Sequence, residues 1–486
     1  MISVELIFFI ILVIYAFSLF PSISVPYIID DIDHLHHLVV AIKEHSVVEW
    51  LFRPHNEHVI PVIKSLYLIS YTYFGLNPEL FHLFVLAVCL GVAVLAYKLT
   101  LVFTKSTTCA IIALSLFTTS HLIDNAIFVG TNSHIIFCLF FFLLLFYALW
   151  QYSLTAKRSW RFAAFLSVLI LPSTFALGLT SIIFIFLFYW LCMDGDQRQR
   201  IKTTLPLLAT TWIFSLVPYI YGLNKIVHAE HYSNGGSNIY EIARFMVPLH
   251  FINTYIGSIL IPSLLNNIYL SLGIFFLSAL SIFCFPRQVS WKKVIFLLIF
   301  GLFNNFIIFV FRSAWGIPGL QLPRYFTFPL IMMALSYPLL LSPLIANNPA
   351  IKKFSTLNVT LVICLFFVAC AGIHRYNQAN RMLTETMLVQ NLFVNFKKAF
   401  VNYTQQHPDI KRINVTNGDI KLPSVSLLRI DNGPVSFMLR FPSRQRRFLA
   451  EFLLPESINQ KVHWGKTTDP DFLNYLKTND YLFLTN

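Results

Sequence analysis

Residues 79–103, ELFHLFVLAVCLGVAVLAYKLTLVF, hold one acid at their start and one lysine near their end, and nothing else charged between. A helix of about 20 such residues matches the apolar thickness of a bilayer, whereas a water-soluble helix keeps a polar face. Comparable runs recur near 3–20, 107–129, 132–152, 203–223, 264–285, 293–311, 326–346 and 354–373. A spanning segment must satisfy its own backbone hydrogen bonds, so this repetition predicts an all-α polytopic membrane protein. With 57% of residues hydrophobic and 12% charged, a soluble globular chain of this length is excluded.

The run 162–192 needs a different treatment. Lys157, Arg158 and Arg161 precede it, and Arg198, Arg200 and Lys202 follow it. A single crossing puts one basic cluster on the wrong side, against the tendency of Lys and Arg to stay cytoplasmic. Two short helices broken around Leu171-Pro172-Ser173 keep both clusters inside, which gives about eleven crossings. Lys98 with Lys105, Arg287 with Lys292 and Lys293, and Lys352 with Lys353 then also fall inside. The outer side receives 21–78, 224–263, 312–325 and everything after about 374, provided that 59–74, VIPVIKSLYLISYTYF, lies in the interface without crossing.

The formal net charge of +13 resides largely in these short loops and therefore reports topology; nucleic-acid binding is not expected. The seven cysteines lie in or beside apolar runs, with no CxxC pair and no disulfide framework. Residues 6–20 lack a basic leader and a small-residue cleavage site, so they read as an uncleaved anchor. From 374 onward Asn, Gln and charges return. This divides the chain into a membrane domain, 1–373, and a small outer domain, 374–486, of mixed α/β character. In the latter, 380–400 reads as helix, with VSFMLRF (435–441) and DYLFLT (480–485) as strands.

The chemistry-bearing residues gather in the first outer loop. PYIIDDIDHLHH, residues 26–37, carries Asp30, Asp31 and Asp33 with His34, His36 and His37, and His45 follows. On a helix over 28–44, Asp30, Asp33, His34 and His37 share one side, while Asp31 points about 100° away. One Asp is enough to cap an amphipathic surface helix, but capping does not require two adjacent acids. A carboxylate at that position suits general-base catalysis. Carboxylates and imidazoles together also suit a divalent metal ion, although no cofactor is firmly implied. A second group, RPHNEH, brings Arg53, His55, Asn56, Glu57 and His58. It is not HExxH, so zinc-protease chemistry is unsupported, and Glu57 beside Asn56 suits substrate hydrogen bonding.

Two further features bear on binding. FRSAWGIPGLQLPRYFTFPL, residues 311–330, sets Arg312 and Arg324 around a Pro/Gly-rich loop, with Tyr325 opening the next span. A guanidinium there can grip a phosphate, or simply snorkel to headgroups. The same two readings apply to Lys64. The polar segment 224–250 contains a Gly-Gly pair and suits a mobile substrate loop.

Together these features resemble the GT-C glycosyltransferases, polytopic enzymes that take a sugar from a polyprenyl-phosphate carrier. The acidic pair Asp30-Asp31 after the first helix resembles the acidic pair of that family. FRPHNEHVIPVIKSLYLISYTYFGLNPELFHL (52–83) looks like the remainder of its outer loop, and Arg324-Tyr325 like the Arg-Tyr that opens a late helix. Asp33 and the histidine run depart from the pattern. The layout also resembles the serotype-converting enzymes that add glucose to the O-antigen of lipopolysaccharide. The resemblance implies a bacterial inner-membrane enzyme with its site facing the periplasm, and a polyprenyl-phosphate sugar donor, a glycan acceptor and membrane lipid as partners. It implies inversion at the anomeric carbon, with Asp30 or Asp31 as base. Arg324, with Lys64 or Arg53, would meet the leaving phosphate, and Asp33, His34, His55, Asn56, Glu57, His58 and Tyr325 would line the site. A lipid-linked sugar transporter predicts matching broken helices in two halves, whereas only one broken hairpin is found. An acyltransferase would use His121 and Asp124.

Overall fold

The computed structural model describes residues 4–25, 27, 30–54, 58–75, 77–120, 130–226, 277–312, 327–347, 356–416, 462–465 and 469–479. The chain is predominantly helical. Among the described residues five helices are long and apolar enough to cross a membrane: Val4–Ser24, Glu79–Thr104, Ser133–Thr155, Trp291–Ile308 and Thr327–Asn347. Gly195–Lys202 and Leu205–Tyr221, meeting at 50°, make a sixth if the bent pair counts as one span. Thr107–Thr119 and Ala176–Cys192 are shorter apolar helices.

In chain order the helices are α1 (Val4–Leu19), α2 (Asp30–Lys43), α3 (Val47–Phe52), α4 (Pro61–Phe74), α5 (Glu79–Thr104), α6 (Thr107–Thr119), α7 (Ser133–Thr155), α8 (Arg158–Thr174), α9 (Ser181–Cys192), α10 (Gly195–Lys202), α11 (Leu205–Ser215), α12 (Val217–Ile226), α13 (Trp291–Arg312), α14 (Thr327–Asn347), α15 (Thr356–Gln406) and α16 (Pro470–Thr478). Residues 277–284 are also helical. β1 (Ile413–Thr416) and β2 (Val462–Gly465) form a two-stranded parallel sheet with Ile413 opposite Val462. The expected strands at 435–441 and 480–485 lie outside the described residues.

Cations fix the order of the bundle at one of its two faces. Arg200 donates to the carbonyls of Ser153 and Leu154, at 3.2 and 2.9 Å, closing the C-terminus of α7. Arg198 does the same for α9 through Met193 O, and Lys293 for α5 through Phe103 O at 3.1 Å. Each charge meets the negative end of a helix dipole and answers carbonyls that the helix leaves unbonded. Lys293 also lies over the rings of Phe103 and Trp150, 5.4 and 5.3 Å away. Asn347, at the end of α14, donates to Gln288 just before α13.

Two helices separated by a break occupy 158–192, as expected, but α8 continues through Leu171-Pro172-Ser173 and the break falls at Phe175. Pro172 lies inside α8, Phe175 is fully extended at φ −163°, and a 3₁₀ turn at Ala176–Thr180 leads into α9. Gly178 is required here, because a Cβ would collide with the Leu171 carbonyl. Both ends of the hairpin return to the basic face, since Arg200, beyond α9, reaches the residues that precede α8. Aromatic pairs at i, i+4 on α7 (Phe142, Phe146), α9 (Phe184, Phe188) and α13 (Phe296, Phe300) interlock, with Phe184–Phe300 centroids at 4.9 Å and Phe146–Phe188 at 5.1 Å. Lipid tails are as apolar as these rings, so close packing rather than expulsion of water holds them together.

Helix α4 has 14 residues, about 21 Å of length, which is short of the apolar thickness of a bilayer. Helix α15 has 51 residues and runs without a break through 373–374, where the composition changes. The boundary inferred from composition thus falls inside one helix.

Candidate functional site

Leu35, Leu38 and Ala41 form the apolar stripe of α2, and all three are buried. Asp31 and His34 precede them on the same face at i, i+3 and i+4 spacing, so the stripe that anchors the helix also carries both polar residues inward. Asp31 is completely buried and His34 nearly so. The carboxylate is held at both oxygens: the Tyr67 hydroxyl donates to Oδ1 at 2.6 Å and the Gly130 N–H donates to Oδ2 at 3.2 Å. Tyr67 comes from the buried side of α4, with Ile63 and Ser70. Gly130 opens the 3₁₀ turn before α7. A Cβ on Gly130 would lie 2.9 Å from the Tyr67 hydroxyl, 2.8 Å from Phe81 Cε1 and 3.2 Å from Asp31 Oδ1, so only glycine brings the main chain this close.

Aromatic rings enclose the carboxylate. His34 stacks on Tyr67 with centroids 5.5 Å apart, and Tyr67 on Phe81 at 4.5 Å. Tyr27 packs against Tyr67 at 5.7 Å and against His82 at 6.3 Å, and its hydroxyl pairs with Ser70 at 2.9 Å. His82, buried near the start of α5, lies within electrostatic reach of Asp31. Burial pushes the Tyr27 phenol well above its usual range, and the charge of Asp31 acts in the same direction, so Tyr27 stays a neutral hydroxyl.

A neighbouring group is organised by Lys64, three residues before Tyr67 on α4. Its ammonium is buried and donates to the carbonyls of Trp50, at 2.8 Å, and Arg53, tying α3 to α4. It also lies 5.4 Å from the centroid of the Trp50 ring. Burial, reinforced by the charge of Arg53, pushes Lys64 down to about 7. Beyond it His58 is buried against Phe175 of the hairpin break, 4.4 Å between centroids, and against His134 of α7 at 5.5 Å. The Val59 N–H donates to the Tyr219 hydroxyl at 3.3 Å.

The residues singled out in the sequence therefore divide. Asp31, His34, His58 and Lys64 are buried, with Lys64 directed at main-chain carbonyls rather than at solvent. Asp31 was expected to point away from His34, but the two lie on one buried face of α2, because the apolar stripe of Leu35, Leu38 and Ala41 turns both inward. Asp30, Asp33 and His36 lie on α2, but their side chains are outside the described residues. His37 is half-buried. Arg53 and His45 are exposed, and His45 takes a left-handed φ of 57° at the end of α2. His55, Asn56, Glu57, His121, Asp124, Arg324, Tyr325 and most of 224–250 lie outside the described residues, and Arg312 ends α13. Among the described residues no group of three or more His, Cys, Asp and Glu is gathered to hold a metal ion.

Tyr27, Tyr67, His82, Gly130, His134 and Arg375 were not singled out from the sequence. The signals available for two of them were faint: Tyr67 lies among the apolar residues of 59–74, and His82 interrupts the apolar ELFHLF. Arg375 is fully buried, donates to Thr118 O at 2.8 Å and Ser120 O at 2.6 Å, and lies over the Tyr15 ring at 5.2 Å. Compared with known families and characterised proteins, the chain matches no family model and no curated protein.

Proposed function

We propose that this chain is an integral membrane glycosyltransferase, moving a sugar from a polyprenyl-phosphate carrier to a surface glycan such as O-antigen, at the periplasmic side of a bacterial inner membrane. The observation that carries the reading is the buried Asp31 carboxylate, fixed by a tyrosine hydroxyl and a main-chain N–H where α2, α4, α5 and the turn before α7 meet. General-base catalysis needs a carboxylate held in one orientation within reach of the acceptor hydroxyl. In the proposed reaction the acceptor oxygen attacks the anomeric carbon as its proton passes to a carboxylate of the Asp30-Asp31 pair. The bond to the carrier phosphate breaks from the opposite face, giving inversion. Arg324 and Arg53 are the cations proposed to meet the charge that develops on the leaving phosphate.

The test is transfer from polyprenyl-phosphate glucose to lipopolysaccharide by membranes carrying the wild type, Asp30→Asn, Asp31→Asn or the double variant. Loss of at least about 100-fold in one single variant and in the double variant is expected. Full activity in all three would make the pair structural and overturn the reading. A new acyl group in place of a new sugar on the surface glycan would do the same.

A further inference from the structure

Helix α4 ties down the α2–α3 segment at both of its ends, from buried residues three apart. The Tyr67 hydroxyl donates to Asp31 Oδ1 at 2.6 Å, and the Lys64 ammonium donates to the carbonyls of Trp50, at 2.8 Å, and Arg53. Positions i and i+3 share one side of a helix, about 4.5 Å apart along its axis, so both ties leave a single turn of α4. The Lys64 tie answers a local need. The donor that would bond Trp50 O from four positions on belongs to Pro54, which has no N–H, and Lys64 supplies one instead. The link from α2 to α3 is bonded as well. Ser46 N–H donates to Ala41 O at 2.8 Å and His45 N–H to Ile42 O at 3.3 Å, with His45 left-handed, which is a Schellman cap. A closed ring results: from Asp31 along α2 and α3 to Arg53, across to Lys64, along α4 to Tyr67, and back to Asp31.

We infer that Lys64 is a positioning residue that sets Arg53 at a fixed offset from Asp31. Its ammonium, which from the sequence could have met a phosphate, is buried and engaged by main-chain carbonyls. Arg53 is the exposed member of the ring. One turn of α4 therefore presents a carboxylate and a guanidinium as a preassembled pair, the ordering of the loop being complete before a ligand arrives. The phosphate role of Arg53 rests on the reading above; the ring itself does not.

The experiment is hydrogen–deuterium exchange with mass spectrometry on the purified full chain, comparing wild type, Lys64→Met and Tyr67→Phe. In Lys64→Met the peptide covering α3 and Arg53 should exchange about tenfold faster, with the first half of α2 unchanged. Tyr67→Phe should do the reverse, loosening the start of α2 and sparing α3. A folded Lys64→Met with an unchanged α3 peptide overturns the inference. If Lys64→Met does not fold, Lys64→Gln decides. Its stem is one atom shorter and cannot span both carbonyls, so an intermediate increase is expected and an unchanged α3 peptide overturns the inference. Binding of decaprenyl phosphate to the same proteins gives a second readout. Lys64→Met and Arg53→Gln should each weaken it about tenfold, and the double variant no further than either alone. Additive losses would make Lys64 a phosphate contact in its own right and overturn the positioning role. A wild type that binds no decaprenyl phosphate would remove the glycosyltransferase reading, and the exchange result would still decide the inference.

Discussion

At the scale of single residues, Gly130 and Lys64 are the positions where chemistry and geometry conflict most. Gly130→Ala forces a methyl into the space shared by Phe81, the Tyr67 hydroxyl and Asp31. It should cost about 1–3 kcal/mol, read as a lower melting temperature in detergent, with transfer activity falling further than stability. Lys64 binds fewer protons folded than unfolded, because its folded value is about 7 against an ordinary 10.5. Its contribution to stability is therefore complete above about pH 10.5 and is lost as pH falls through about 7. Melting temperature should rise between about pH 7 and about pH 9 in the wild type, and this slope should flatten in Lys64→Met. An unchanged slope would mean that Lys64 keeps its proton throughout. The acidic pair was legible in the sequence because two adjacent acids beside a membrane demand a reason. The partners of Asp31 were not, since a main-chain N–H and a phenol brought in from other elements leave no local pattern.

At the scale of elements, legibility followed the strength of the physical constraint. The break between α8 and α9 was readable because two basic clusters disfavour a single crossing, and Arg200 does reach back to the residues before α8, whereas Pro172 itself lies inside α8. The short helix α4 was readable from its length and from Lys64. The inward face of α2 was harder, since it depends on weighing Leu35, Leu38 and Ala41 above the charged residues, and apolar packing prevails. Helix α15 reads from the sequence as two pieces because composition changes at 374. Backbone hydrogen bonding is indifferent to that change once one side of the helix keeps a buried stripe.

At the scale of the whole molecule, the C-terminal ends of α5, α7 and α9 gather with Lys293, Arg200 and Arg198, while the Asp31 cluster lies where α2, α4, α5 and the turn before α7 meet. Membrane-impermeant maleimide should therefore label Lys157→Cys and Arg198→Cys from the same side of the membrane, and Glu44→Cys from the other. Labelling of 157 and 198 from opposite sides would break the hairpin arrangement. Against the expected eleven or so crossings, the described residues hold five helices, or six with the bent pair, that are long and apolar enough to cross, because several apolar helices there are shorter than a full span.

The unbroken course of α15 carries a consequence of phase. Each helical residue turns the chain by about 100° and advances it about 1.5 Å, so the direction in which the chain leaves α15 at Gln406 is keyed to the direction of Arg375. One residue gained or lost along the polar half would swing the C-terminal segment by more than a quarter turn while leaving every contact of α1 and α6 in place. The length of that rod, as much as its composition, sets the direction in which the chain leaves it.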